Sequence, residues 1–246
     1  MLRKSFAVAV LAASLPLTML ADELYIPIAG SVGNFRTDVR ILNPSATKDI
    51  TVTAFFLPSG NVANFLGDGV KITIPKMQMV AYDDIVSTLF SASGVGAIYL
   101  AADFTDRYLA TARIYADTAA GTLGQAFVAP SISHLMRNGD LLQLRANSAF
   151  RTNIGAVNLQ NSDVEVTWTL YDKNNAAVSS KTVAMPPYGV IAPTSITSGF
   201  FFDAGNADLT NAWVSFSSTG PIDAYASIVD NRTTDPTFIP AQQIFQ

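Results

Sequence analysis

The stretch most informative about the fold is Val164-Glu165-Val166-Thr167-Trp168-Thr169-Leu170-Tyr171, in which apolar and polar side chains alternate. Because successive side chains of a β-strand point to opposite faces of the sheet, this period of two predicts a strand with one face buried and the other in solvent. The face predicted to be buried carries Val164, Val166, Trp168 and Leu170.

A second run with this pattern lies 114 residues earlier, at residues 50–56. Matches continue in the same order on both sides of it, at offsets between 111 and 115. Offsets that stay within this narrow range over some eighty residues predict an internal duplication with small loop insertions and deletions. The matched pairs include Phe35-Arg36-Thr37 with Phe150-Arg151-Thr152, Asn43 with Asn158, Val52 with Val166, Pro75 with Pro186, Ala97 with Ala212, and Ala112 with Ala226.

Each copy contains further strand candidates, separated by turn-rich stretches such as Asn43-Pro44-Ser45 and Ser218-Thr219-Gly220-Pro221. Many short strands with Gly, Pro and Asn between them predict an all-β chain in which each copy is a β-sandwich of six to eight strands. A polar stretch at residues 137–140 marks the junction, so we expect one module over 22–136 and another over 137–246. Trp213, which follows Ala212 in a strand candidate, is expected in the core together with Trp168.

Helical signals are confined to two short stretches. Residues 83–90 form a candidate helix, and Asp83 is expected to cap its beginning. Residues 131–135 form a second candidate at the module junction.

The N-terminus predicts export. Arg3 and Lys4 precede an apolar run at residues 6–15, and small residues lead to an expected cleavage site after Ala21. This is the pattern of a secretory signal peptide, whereas a membrane anchor needs about twenty apolar residues. Its removal takes away two positive charges and no acid, so the net charge of −4 becomes −6.

Composition excludes several function classes. The sequence has no cysteine, so it has no disulfide, no thiolate nucleophile and no Cys metal ligand. An acidic chain without a cluster of Lys and Arg argues against nucleic acid as a partner. No apolar stretch of the mature sequence is long enough to span a bilayer.

The copies resemble a family of uncharacterised secreted bacterial proteins with tandem repeats. The resemblance rests on Phe35-Arg36-Thr37-Asp38 with Asn43-Pro44, on Phe150-Arg151-Thr152-Asn153 with Asn158, and on the closing segments 121–125 and 226–237. It covers nearly the whole mature chain and implies two tandem homologous Ig-like β-sandwich domains after the signal peptide, but no particular activity. The second copy departs from the pattern at Leu159, where the first has Pro44.

Most of the shared residues are expected to support the scaffold. Arg36 and Arg151 each precede a strand, where a guanidinium can bind loop carbonyls or a carboxylate. The other residues assigned to this structural motif are Thr37, Asn43, Thr152, Asn158 and Arg232.

Two sets of residues are weaker candidates for binding. Asp230, Asn231 and Asp235 offer oxygen ligands for calcium, although capping of turns, with Arg232 paired to an aspartate, is favoured. The run Phe200-Phe201-Phe202 is a possible partner patch if it is exposed. No cofactor is expected.

No catalytic site is predicted. His134 is the single histidine and no Gly-x-Ser-x-Gly motif is present, so a Ser-His-Asp triad is disfavoured. Asp83 and Asp84 are adjacent and diverge on either a strand or a helix, which disfavours a glycosidase pair.

We therefore expect a non-catalytic exported protein that contacts protein or polysaccharide of the cell envelope or matrix, or serves as an assembly subunit, with self-association possible. It would be located in the periplasm or at the cell surface. Two alternatives stay open. One is a hydrolase acting on polysaccharide or ester in a cleft between the modules, lined by acids or by His134. The other is a periplasmic chaperone of the two-Ig-domain type, against which the similarity of the two copies counts.

Overall fold

The computed structural model describes residues 23–119 and 121–243, and the predicted signal peptide at 1–21 lies outside them. Helix in this part of the chain is limited to α1 (Ile85–Thr88) and a 3₁₀ turn (Ile132–His134). Strands account for most of the remainder, which confirms the prediction of an all-β fold. None of the helices in the described ranges is long and apolar enough to cross a membrane.

The N-terminal half, residues 23–135, contains two antiparallel four-stranded sheets. Its strands are β1 (Leu24–Ser31), β2 (Phe35–Leu42), β3 (Ile50–Pro58), β4 (Val70–Ile74), β5 (Met79–Tyr82), β6 (Gly94–Ala102), β7 (Leu109–Thr118) and β8 (Gly121–Val128). Sheet I has the order β1-β6-β3-β4 and sheet II the order β5-β2-β7-β8. Val52 and Ile98 of sheet I and Val39 of sheet II lie in one buried cluster, the core between the sheets.

The C-terminal half, residues 136–243, contains seven strands. They are β9 (Met136–Ala146), β10 (Phe150–Val157), β11 (Val164–Tyr171), β12 (Ala177–Met185), β13 (Val190–Ser195), β14 (Leu209–Asp230) and β15 (Pro236–Pro240). The first part of β14 pairs with β9 and β11, and β12 follows at the edge; these form sheet III. The second part of β14 pairs with β10 and β15, and β13 pairs with β10; these form sheet IV.

The predicted turn at Ser218-Thr219-Gly220-Pro221 is wrong, because these residues lie inside β14 where it passes from sheet III to sheet IV. Gly220 is required at this crossing, since a Cβ there would approach Cγ2 of Val164 to 2.7 Å. Pro221 has no N–H to donate to a ladder, which suits a residue between two sets of paired residues. In the N-terminal half the corresponding strands β6 and β7 are separated by residues 103–108.

The two halves have the same strand order. Sheet III, β9-β14-β11-β12, corresponds to sheet I strand by strand, and sheet IV, β13-β10-β14-β15, corresponds to sheet II. The register corrects one of the sequence matches. Leu57 pairs with Ala97, and Tyr171, which lies 114 residues after Leu57, pairs with Trp213. Ala97 therefore corresponds to Trp213, and the predicted match of Ala97 with Ala212 is wrong by one residue.

The outer face of sheet I is covered by the C-terminal half. Leu57, Ala97 and Tyr99 form one buried cluster with Val157 and Val190 of sheet IV. The loop after β3 adds hydrogen bonds across the same contact, from Asn64 Nδ2 to Tyr188 O (2.8 Å), from Asn61 Nδ2 to Ala184 O (2.8 Å) and from Asn61 N to Val190 O (3.0 Å). The two halves therefore share an apolar interface, and Asn61 and Asn64 beside it donate hydrogen bonds to backbone carbonyls of the C-terminal half.

Asp83 does not cap α1. The helix begins after Asp84, which has a left-handed backbone (φ 47°) and no side-chain capping bond. The Asp83 carboxylate instead accepts a 2.6 Å hydrogen bond from Arg40 Nη2 on β2. The predicted cap is wrong because an ion pair to sheet II takes the side chain away from the helix.

Candidate functional site

Thr37 and Thr152 have the same structural role in the two halves. The Thr37 hydroxyl accepts from Gly30 N (2.8 Å) and donates to Gly30 O (3.1 Å). The Thr152 hydroxyl accepts from Arg145 N (3.0 Å) and donates to Arg145 O (2.6 Å). Both threonines are fully buried, and each links the two sheets of its half by bonding the backbone of a strand in the opposite sheet.

Asn43 and Asn158 likewise repeat one arrangement. Asn43 Nδ2 donates to the carbonyls of Lys48 and Ile74, at 3.0 Å each, while its Oδ1 accepts from Ser45 N. Asn158 Nδ2 donates to the carbonyls of Ser162, Met185 and Pro186, and its Oδ1 accepts from Gln160 N. Both side chains are fully buried, and each fixes the turn that leads out of its central strand.

The two arginines differ. Arg36 donates to the carbonyls of Gly33 (2.9 Å) and Phe35 (2.7 Å), and its Nε lies 3.3 Å from Asp84 Oδ2. This matches the role expected for it at the end of a sandwich. Arg151 donates instead to Asn231 Oδ1 at 2.9 Å, and no carboxylate of the described residues is within ion-pair distance of it.

The calcium candidates form a turn with their own hydrogen bonds. Asp230 Oδ1 accepts from Arg232 N (2.7 Å) and Thr233 N (3.3 Å), and Asn231 Oδ1 accepts from Arg151. Asp235 O accepts from Asp230 N at 3.1 Å. These contacts favour the capping of turns over a cation site. The guanidinium of Arg232 makes no ion pair within residues 23–119 and 121–243, so the expected pairing with an aspartate is wrong.

The phenylalanine run is not an exposed patch. Phe201 and Phe202 are 0% and 1% exposed and belong to the core of the C-terminal half, where Phe201 meets Trp168 edge-on at 5.3 Å. Only Phe200 of the three is exposed, at 38%. The proposed partner patch is therefore wrong, because two of the three rings fill the sandwich.

His134 lines a recess of about 290 Å³ together with Asp223 and Tyr25. Burial raises the pKa of Asp223 to about 7, against smaller lowering effects from the Tyr25 hydroxyl and the Ala224 N–H. The described residues that line this recess include no serine, cysteine or lysine and no second carboxylate, so they form neither a Ser-His or Cys-His pair nor a pair of carboxyl groups.

Trp213 lies on the outer face of sheet III, and its predicted place in the core is wrong. Its neighbours Ala212, Val214 and Phe216 point inward and are buried, which leaves Trp213 half-buried on the other face. This alternation was the sequence signal that could have found it. Trp168, by contrast, is 0% exposed, as predicted.

The Trp213 ring is held on two sides. It stacks on the Tyr171 ring with centroids 3.8 Å apart and planes 4° from parallel. Its Nε1 donates to Asn175 Oδ1 at 3.0 Å. An aromatic side chain fixed in this way offers a rigid surface that needs no further ordering when a ligand binds.

A recess of about 370 Å³, the Trp213 recess, lies beside this ring. Three of its lining residues belong to β9, which pairs with β14 on the side opposite β11, three belong to β14 itself, and Asn175 lies in the turn between β11 and β12. Opposite Trp213, β9 has two residues where β14 has one, a β-bulge in which Gln143 takes a positive φ of 62°. The lining residues are Asp140, Leu142, Gln143, Asn175, Asn211, Ala212 and Trp213.

The polar groups of the recess are carboxylate and amides. Burial raises the pKa of the Asp140 carboxyl, while Gln143 and Asn211 are exposed. A carboxylate accepts hydrogen bonds and each amide both donates and accepts, so together they can bind a ligand rich in hydroxyl groups. Within the described residues no cluster of three His, Cys, Asp or Glu side chains could hold a metal ion.

No protein-family model matches the sequence, and no curated protein matches it. Among solved structures it is similar to one titled "Crystal Structure of Thermotoga maritima 1070". That similarity covers 45% of this chain and 97% of the other, at 11% sequence identity and a TM-score of 0.34.

Proposed function

We propose that this chain is an exported, non-catalytic binding protein that attaches to polysaccharide of the cell envelope or matrix through the Trp213 recess. The observation that carries the proposal is a rigid, half-exposed tryptophan beside a carboxylate and three amides. A sugar ring has an apolar face of C–H groups, which stacks on an aromatic ring, and an edge of hydroxyl groups, which bind carboxylates and amides.

The rest of the outer face of sheet III suits the same ligand. Thr167 and Thr182 hydrogen-bond each other through their hydroxyls at 2.9 Å, and Thr169 and Ser180 do so at 3.2 Å. A face that carries these hydroxyl groups and one aromatic pair can bind an extended glycan chain along its surface. A protein interface would instead be expected to have an apolar centre.

A binding role is also favoured over hydrolysis at this recess. Most glycosidases need two carboxyl groups on opposite sides of the scissile bond. Among the described residues that line the Trp213 recess, Asp140 is the single acid. One carboxylate can orient a sugar hydroxyl but cannot supply both the acid and the base.

The proposal includes the organisation expected from the sequence, namely two Ig-like modules that arose by duplication. Support comes from the identical strand order of the two halves and from the matching contacts of Thr37 with Thr152 and of Asn43 with Asn158. On this view the duplicated residues maintain the scaffold, and ligand binding depends on residues that the copies do not share.

Affinity electrophoresis in gels that contain dextran, xylan or hydroxyethyl cellulose tests the proposal. We expect at least one of these polysaccharides to retard the protein, and Trp213→Ala to weaken that binding at least tenfold because the stacking surface is lost. Binding should also shift the fluorescence of Trp213 while the buried Trp168 stays unaffected.

The matched control is Phe104→Ala, which removes an exposed aromatic ring from the N-terminal half. This variant should be retarded as the wild type is. Absence of retardation by all three polysaccharides, or equal retardation of wild type and Trp213→Ala, would overturn the proposal.

A further inference from the structure

A cavity of about 270 Å³ lies between the two halves, away from the Trp213 recess. Its walls are mainly apolar, with Ile28, Val95 and Ile114 from the N-terminal half and Pro193 and Val229 from the C-terminal half. Most binding sites for small molecules have this character, an apolar concavity with a few polar groups that set orientation.

Two of the polar groups on the cavity wall bind each other. Ser227 and Gln125 are 5% and 8% exposed, and the Ser227 hydroxyl donates to Gln125 Oε1 at 3.4 Å across the interface between the halves. These two polar groups are therefore already hydrogen-bonded to each other, which favours a ligand that is apolar in the part that enters the cavity.

Arg151 adds a positive charge to the lining. Its guanidinium is positioned by Asn231, whose Nδ2 in turn donates to the carbonyls of Asn147 (3.3 Å) and Ser148 (3.2 Å). The corresponding Arg36 has Asp84 as its counter-ion, whereas Arg151 has none among the described residues.

The sheet register explains why the acid is missing. Tyr82 pairs with Val39 in sheet II, and Thr194 pairs with Ile154 in sheet IV, so Tyr82 and Thr194 are equivalent. Two residues further on, Asp84 therefore corresponds to Ile196, which is fully buried in the core of the C-terminal half. The second half has kept the arginine and lost its partner.

We propose that the cavity binds an aliphatic monocarboxylate, with the carboxylate on Arg151 and the hydrocarbon chain between Ile28, Ile114 and Val229. An arginine without a counter-ion binds a carboxylate through strong, charge-assisted hydrogen bonds. The free energy of binding becomes more favourable when a hydrocarbon chain displaces water from the apolar walls. A volume of about 270 Å³ corresponds to roughly nine water molecules, which fits a chain of about eight carbons.

Isothermal titration calorimetry of the full chain with sodium octanoate tests this site, with 1-octanol as the uncharged comparison. We expect octanoate to bind and 1-octanol to bind at least tenfold more weakly. Arg151→Gln should reduce octanoate affinity at least tenfold and abolish the preference for the carboxylate, because the charge is removed while the cavity remains.

Arg36→Gln is the matched control and should leave octanoate binding unchanged, since Arg36 is not part of the cavity. Ala192→Phe, which places a ring into the lining, should block octanoate and octanol alike and does not depend on the stability of the Arg151 variant. The proposal fails if octanoate does not bind, if octanol binds equally well, or if Arg151→Gln binds octanoate as the wild type does. Trp213→Ala should bind octanoate normally, so this result is independent of polysaccharide binding.

Discussion

The outer faces of sheet I and sheet III are built from corresponding strands and have opposite environments. In sheet I, Leu57 is 1% and Ala97 0% exposed, because sheet IV covers them. In sheet III the corresponding Tyr171 and Trp213 are half-buried and face the surface. The scaffold thus presents the same face twice, and the side chains decide whether it forms an interface or a surface.

The remaining residues of these faces follow the same rule. Phe55, Tyr99 and Ala101 of sheet I, which line the interface, correspond to Thr169, Ser215 and Ser217 of sheet III. Even the bulge opposite Trp213 is present in sheet I, where β1 has two residues opposite Ala97. The bulge is therefore common to both sheets, and the recess depends on the tryptophan at position 213 of sheet III, where sheet I has Ala97.

The largest expected effect tests this difference directly. Leu57→Asp places a charge in the sealed interface, and we expect it to reduce the free energy of unfolding by about 4 kcal/mol or more. Tyr171→Asp, at the corresponding position of sheet III, should cost about 1 kcal/mol because water reaches the side chain. Urea unfolding followed by circular dichroism measures both. Similar losses for the two variants would show that the outer face of sheet III is also covered.

At a second pair of corresponding positions, the residue of the N-terminal half is exposed and the residue of the C-terminal half is buried. Leu109 on β7 is 59% exposed, whereas Asp223 on β14 is only 7% exposed. Their equivalence follows from the register, since Leu42 pairs with Leu109 and Val157 pairs with Asp223. Burial raises the pKa of Asp223 from 3.8 to about 7, so the folded protein keeps this carboxyl protonated in conditions where the unfolded chain has lost the proton.

Stability should therefore fall as the pH rises from about 4 to about 7, because the folded state holds more protons than the unfolded state across this window. The loss from this one group is at most about 4 kcal/mol by linkage. Asp223→Asn should remove most of this slope, and at pH 8 it should be more stable than the wild type. Thermal unfolding between pH 4 and pH 8 measures this, with the exposed Asp68→Asn as control. A wild-type stability that rises over this range, or an unchanged slope in Asp223→Asn, would contradict the raised pKa of this buried carboxyl.

The sequence predicted the features that depend on local pattern. Alternation at residues 164–171 placed Trp168 in the core, and constant offsets matched residues that make the same contacts, such as Thr37 and Thr152. It misplaced Trp213 because an aromatic residue was assigned to the core by type, although its neighbours Ala212 and Val214 already occupied the inward positions.

Features that depend on packing between the halves could not be predicted in this way. Whether the face of Leu57 or that of Tyr171 is covered depends on how one half packs against the other. The alternation of side chains along a strand does not determine this packing. The absence of a counter-ion for Arg151 among the described residues is visible only after the register aligns Asp84 with Ile196. The turn predicted at Ser218–Pro221 failed for a related reason, since those turn-forming residues serve a strand that changes sheets.

The smallest expected difference concerns the residues that the halves share. Asn43→Ala and Asn158→Ala each leave buried carbonyls without a donor, so each should cost about 2 to 3 kcal/mol. The two losses should agree within about 1 kcal/mol, because Asn43 Nδ2 donates to two carbonyls and Asn158 Nδ2 to three. Asn34→Ala, which removes one exposed hydrogen bond to Asp117 O, should cost less than about 1 kcal/mol. Urea unfolding of the three variants measures these values. A large loss for one buried asparagine and a small loss for the other would mean that only one half depends on this turn, and the shared residues would then differ in role between the halves, as the outer faces do.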